Sequence, residues 1–196
     1  MSNVITKSKI LSSLLWKFME QLGAQGIQIL VSIIIARILL PEEYGLYVLI
    51  FIFISIAGVI VQSGFNIALI QKKDADEVDF SSVFYLNLFI ASLLYTILYY
   101  TAPLIAAFLE YPELSVVLRV LSITLFLGVF SSIQNTLVVR TMQFKKLFFS
   151  SLGAILVSGI VGIILAYRDF GVWALVGQSL TYQLIFTIIL FFTVKW

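Results

Sequence analysis

Six apolar stretches, each long enough to cross a bilayer, follow one another with connectors of only a few residues. Lipid offers backbone amides no hydrogen-bond partner, so only α-helices and closed barrels span a membrane. A barrel would alternate apolar and polar residues over segments of about ten. This chain instead carries unbroken apolar runs, such as 29–35 and 48–54. A helix needs about 20 such residues to cross the hydrocarbon core. The pattern predicts six transmembrane helices, at about 11–40, 44–69, 83–109, 114–139, 147–167 and 172–194, with Pro103 breaking the third. The expected fold class is all-α and polytopic, a single six-helix lobe over 1–196. The connectors 41–43, 71–82, 110–113, 140–146 and 168–171 are too short to hold a soluble domain. Lys17 and Glu20 interrupt the first stretch and no small-residue cleavage site follows, so it reads as a retained span and not a signal peptide.

Composition narrows the function. Hydrophobic residues make up 61% and charged residues 11%, against roughly 25% charged in soluble domains. A net charge of +2 gives no field to draw nucleic acid. The chain has no Cys and no His, which removes disulfides, thiol nucleophiles, imidazole bases and the usual zinc sites. No phosphate-cradling glycine loop, nucleophile elbow or catalytic carboxylate pair appears, so neither a catalytic residue nor a cofactor is expected.

Orientation follows from the basic residues, which collect on the side of a bilayer facing the cytoplasm. Six spans with the N-terminus inside put nine there: Lys7, Lys9, Lys17, Lys72, Lys73, Arg140, Lys145, Lys146 and Lys195. Three remain outside: Arg37, Arg119 and Arg168. Trp16, Tyr44, Tyr47, Tyr111, Tyr167, Trp173 and Trp196 fall near the expected interfaces, as an aromatic belt would. Residues 43–50 echo residues 169–176, reading acid, aromatic, Gly, aliphatic, aromatic, and each copy is expected to open a span at a tight glycine turn. The echo is either a remnant of symmetry or a convergent helix-start signal.

Polar residues within the spans carry the functional reading. Lys17, Gln21, Gln25, Gln28 and Ser32 follow one another at steps of three and four, a single helical stripe. A row of amides facing lipid is costly. It serves either interhelical hydrogen bonding, worth about 0.6 kcal/mol per contact, or one wall of a hydrated cavity. Gln62 and Asn66 in the second span, Asn87 in the third, Ser122, Gln134 and Asn135 in the fourth, and Gln178, Thr181 and Gln183 in the sixth extend the pattern. Taken singly, each suits a helix–helix contact. Arg37 and Arg119 lie just inside the outer ends of their spans. They either snorkel to the headgroups or face a cavity and pair with an anionic ligand such as a diphosphate. The acidic stretch Asp74, Asp76, Glu77, Asp79 lacks the pattern of a calcium loop and reads as a solvated connector. The basic 140–146 connector, with Phe144 in its midst, suits contact with anionic lipid.

The stretches 36–46, 64–73, 83–88, 118–121, 140–144 and 170–176, in this order, resemble the polysaccharide transporter family, flippases for lipid-linked oligosaccharides. The resemblance implies movement of an undecaprenyl-diphosphate-linked sugar across the bacterial cytoplasmic membrane, by two six-helix lobes around a central cavity. This sequence matches the amino-terminal lobe, so the implied partners are the lipid-linked sugar, membrane lipid and a second six-helix lobe. Arg37, Arg119, Gln21, Gln25, Gln28 and Asn66 are the expected substrate contacts. Two readings compete: a multidrug or cation antiporter, with Glu20 as its one intramembrane carboxylate, and a membrane fragment that transports nothing.

Overall fold

The structure is a computed structural model that describes residues 7–194 except Ser63 and Lys73, with side chains from Ser12 onward. The side chains of Lys7 and Lys9, and Ser63, Lys73, Lys195 and Trp196 altogether, lie outside the described residues. The described chain is helical with short connections: α1 (Lys7–Ile38), α2 (Pro41–Gln62), α3 (Phe65–Gln71), α4 (Glu77–Phe108), α5 (Leu114–Leu121), α6 (Ile123–Thr141), α7 (Phe144–Tyr167) and α8 (Val172–Thr193). With α2–α3 and α5–α6 each counted as one bent span, six spans are long and apolar enough to cross a membrane. The chain is a multi-pass membrane protein.

The departures from the expected boundaries have local causes. The second span begins at Pro41, not at residue 44, because proline's fixed φ and missing N–H suit the first helical position. Gly45 is therefore inside α2, while Gly171, at φ 55°, turns the chain ahead of α8. The two echo motifs thus do different jobs. The second span also breaks at Gly64, whose φ of 87° suits glycine. The fourth bends at Ser122, whose hydroxyl donates to the Leu118 carbonyl at 2.7 Å. The acidic connector is shorter than expected, because Asp76 and Asp79 form a capping box that starts α4 at Glu77. The Asp79 amide donates to Asp76 at 2.9 Å and the Asp76 amide to Asp79 at 3.2 Å.

Pro103 does not break its helix. α4 continues through it, although proline at this position leaves the carbonyl four residues back, on Tyr99, without its helical donor. Arg119 of α5 replaces that donor: its Nε donates to the Tyr99 oxygen at 3.2 Å, and its guanidinium lies 4.3 Å from the centre of the Tyr99 ring.

Packing divides the bundle. Ile50, Ile54, Ala57 and Val61 of α2 join Ala91, Leu98 and Ala102 of α4 and Leu118, Leu121 and Val129 of α5–α6 in one buried cluster. Val31, Ile35 and Leu39 of α1 meet Ala166, Ala174 and Leu175 of α7–α8 in another. Small residues let these helices approach. A Cβ built on Gly159 would stand 2.8 Å from Val31, and one on Gly162 would stand 3.0 Å from both Ile35 and Gln178. α1 thus lies along α7, and α2 lies against α4, α6 and α8. The two come together where the chain turns at residues 39–40, with Tyr44 and Tyr47 beside the Val31 cluster.

Candidate functional site

Between α1 and α2 lies a cavity of about 1340 Å³, floored by α6 and α8. It exceeds the roughly 300–1,000 Å³ of ordinary small-molecule pockets. Each wall follows from helical spacing. α1 contributes Gln21, Gln25, Gln28 and Ser32 from its amide stripe. All three glutamines are exposed, so their amides face open space and not a neighbouring helix. α2 contributes Tyr44, Tyr47, Phe51, Ser55, Gly58 and Gln62, again at steps of three and four. α8 contributes Gln178, Ser179, Tyr182 and Gln183, and α7 adds Ile155 and Ser158.

The floor is built around a missing side chain. A Cβ on Gly128 of α6 would lie 3.8 Å from Gln62 Nε2 and 3.9 Å from Gln183 Nε2, so two amides from opposite helices converge over this glycine. Gln183 is held there by donating to the Ser131 hydroxyl at 3.1 Å. The Tyr47 and Ser179 hydroxyls, 2.5 Å apart, tie α2 to α8 across the back of the cavity. Gln178 is buried, yet its Nε2 has no hydrogen-bond partner among the described residues. An unpaired amide donor in a dry interior costs about 1–3 kcal/mol.

The electrostatics are nearly neutral. Among the described lining residues Glu20 alone is charged, and Lys17 neutralises it at 2.6 Å. Sequence-predicted contacts therefore divide. Gln21, Gln25 and Gln28 line the cavity together. Arg37, Arg119 and Asn66 are not among its lining residues. Arg37 is exposed in the last turn of α1, a position its charge suits. Arg119 is occupied by Tyr99. Asn66 accepts from Asn87 Nδ2 at 3.3 Å, joining α3 to α4.

Gln62, Gln178 and Gln183 each look like a helix contact when read alone, Tyr47 reads as an interface anchor, and nothing local marks Ser179 or Tyr182. The signal was present: 44, 47, 51, 55, 58 and 62 form a stripe on α2 as regular as that on α1, and 178–182 and 179–183 are i, i+4 pairs. Tyrosine and glycine within such a stripe pass for interface anchors and packing residues.

A family described as "Polysaccharide biosynthesis protein" matches residues 34–196, which include most of the cavity lining. The chain belongs to this family. It is 30% identical over 168 residues to the succinoglycan biosynthesis transport protein ExoT of Rhizobium meliloti, covering 83% of this chain and 33% of that protein. It is 31% identical over 91 residues to the teichuronic acid biosynthesis protein TuaB of Bacillus subtilis, covering 46% of this chain and 19% of the relative. It is 21% identical over 155 residues to the lipopolysaccharide biosynthesis protein WzxC of Escherichia coli, covering 79% and 30%. The chain thus spans about a third or less of the length of these polysaccharide biosynthesis proteins. No solved structure matches it.

Proposed function

We propose that this chain is one six-helix lobe of a transporter, and no enzyme, that carries a lipid-linked oligosaccharide across the bacterial cytoplasmic membrane. The N-terminus lies on the cytoplasmic side, as the basic residues ask. The cavity between α1 and α2 receives the sugar, and a second lobe closes its open side.

The observation that carries this reading is the chemistry of the lining: six glutamines and three tyrosines with one neutralised charge. An amide both donates and accepts, which suits the alternating hydroxyl and ring oxygens of a sugar. A tyrosine adds an apolar ring face and a polar tip. Exposed glutamines within a span need such partners, or water, because lipid supplies none.

The test uses the full-length protein in cells that depend on it for surface polysaccharide. Gly128→Leu fills the floor where Gln62 and Gln183 converge and is expected to abolish polymer export at normal protein level in the membrane. Gln25→Leu with Gln28→Leu is expected to reduce export at least tenfold. Normal surface polymer in both would overturn the reading. A second reading, a drug or cation antiporter, draws on Glu20 lining the cavity. It requires drug efflux that disappears in Glu20→Gln.

A further inference from the structure

The floor of the cavity is one-sided in its chemistry. Over Gly128 of α6 the nearest side-chain atoms are nitrogens: Gln62 Nε2 from α2 and Gln183 Nε2 from α8, 3.8 and 3.9 Å from the point a Cβ would occupy. The two amide oxygens lie farther off. An amide nitrogen carries two hydrogens. Gln183 commits one to the Ser131 hydroxyl at 3.1 Å, which fixes its side chain and leaves the second for a ligand. Gln62 is exposed, so its amide is free to swing onto the same atom.

The acceptors beneath them are already used. Within a helix each carbonyl receives the N–H four residues on. The Leu127 carbonyl also receives the Thr187 hydroxyl at 3.2 Å, and the Gly128 carbonyl the Ser131 hydroxyl at 3.1 Å. A carbonyl oxygen has two lone pairs, so both of these are filled. The Thr124 hydroxyl, another lining group, is turned onto the Leu121 carbonyl at 2.6 Å. The floor therefore offers donors above a backbone with nothing left to accept. Leu125, one turn earlier on α6, and Val61, next to Gln62, add apolar surface to the same lining.

This chemistry discriminates among the groups a sugar carries. A hydroxyl seated over Gly128 would bring a hydrogen with no acceptor on the floor, and a buried unpaired donor is costly. A carboxylate would bring a charge to a place that has only neutral amides. An acyl carbonyl accepts two hydrogen bonds and donates none, and its methyl suits the apolar surface beside it. The N–H of an acylamino group points away from its carbonyl, toward the open cavity. We propose that Gln62 and Gln183, converging over Gly128, form a subsite for the carbonyl oxygen of an acylamino sugar. This rests on the proposed function and names the class of sugar that the cavity takes.

The experiment measures binding of methyl N-acetyl-β-glucosaminide and methyl β-glucoside to the purified full-length protein in phosphatidylcholine nanodiscs, by saturation-transfer NMR. The two probes differ only in carrying an acetamido group or a hydroxyl at one carbon. Wild type is expected to bind the acetamido sugar at least tenfold more tightly, because a site built to hydrogen-bond a group rejects the analogue lacking it. A Cβ on Gly128 makes only ordinary contacts, so Gly128→Ala fills the pit and leaves the fold standing. Gly128→Ala and Gln62→Leu are each expected to bring the two affinities within twofold at an unchanged melting temperature. Gly26→Ala, which adds the same methyl outside the lining, should keep the wild-type preference. Equal binding of the two probes by wild type, or binding of neither, overturns the subsite. So does a preference that survives both Gly128→Ala and Gln62→Leu, or one that Gly26→Ala also abolishes. Lost export in Gly128→Leu with no preference in wild type discards the carbonyl subsite and leaves the transporter reading standing. The expected preference and its expected losses, alongside normal export in Gly128→Leu and in the Gln25 and Gln28 double variant, keep the subsite and discard the transporter reading.

Discussion

The α1–α2 cleft and the packed α6–α7–α8 side are both rich in polar residues, yet they use them in opposite ways. On the packed side the polar groups are largely hydroxyls turned back on their own helix. Ser132 donates to the Val129 carbonyl at 2.8 Å, Thr136 to Ser132 at 2.9 Å and Ser150 to Lys146 at 2.9 Å. Such a residue is satisfied before any neighbour arrives and can be buried at little cost. The cleft is lined by glutamines, whose longer amides carry two donors and an acceptor that their own turn does not saturate. All four buried side-chain polar atoms without a partner among the described residues belong to Asn or Gln: Asn87, Gln134, Asn135 and Gln178. Within a membrane span, amides in register point to a wet surface, and hydroxyls alone do not.

Glycines allow the sharpest test of that contrast. Gly162 faces Ile35 and Gln178 at 3.0 Å, whereas nothing lies within 4 Å of a Cβ on Gly26. Gly162→Leu is expected to cost about 3 kcal/mol or more by overpacking. Gly26→Leu should change stability by less than about 0.5 kcal/mol, as surface substitutions usually do. Thermal unfolding of the two purified variants makes the comparison. Equal losses would mean that α1 is as tightly enclosed as α7.

A smaller effect concerns Arg119. If its task is to satisfy the carbonyl that Pro103 leaves free, Arg119→Ala should cost about 1 kcal/mol, the net worth of one hydrogen bond to a carbonyl on an exposed helix face. Pro103→Ala should restore most of that loss by returning the helical donor. A double-mutant cycle reads the coupling directly. Additive losses would free Arg119 from this role and return it to the candidates for ligand contact.

The smallest effect lies at the helix ends, where a connector residue pairs with a carboxylate in the first turn of a span. Asp79, 2.6 Å away, holds the Lys72 ammonium above its ordinary pKa. The Glu42 carboxylate, which accepts from the Tyr111 hydroxyl, likewise raises that phenol. In both cases the folded state favours the protonated form. Each contribution is complete below the unfolded pKa, about 10.4 for lysine and about 10 for tyrosine. It is lost as pH rises through the elevated folded values. Both pairs are exposed and screened by salt. Lys72→Gln and Tyr111→Phe should therefore lower the melting temperature slightly at neutral pH and converge on wild type once the lysine and the phenol deprotonate in the folded state. A gap persisting at high pH would trace the effect to packing.

The number of spans, their order and the amide stripe of α1 were all legible in the residues, since apolar length and helical period are properties of the chain alone. So was the set of polar helices, α1, α2, α6 and α8, that supply most of the lining. The breaks were less legible. Pro103 reads as a stop until a second helix brings Arg119 to the vacated carbonyl, and the Asp76–Asp79 capping box turns part of an apparent loop into helix.

Spacing along a helix says which residues share a face, and composition says that the face cannot look at lipid. Both are local, and the chain determined them by itself. Whether a shared face meets a neighbour or a cavity depends on the distance between helices far apart in sequence. Tertiary structure decided that: the glycines of α7 draw α1 and α8 close, the walls of α1 and α2 stand apart, and Gly128 leaves the floor open. Close packing and open space differ by a few ångströms between side chains, and no single helix holds that information.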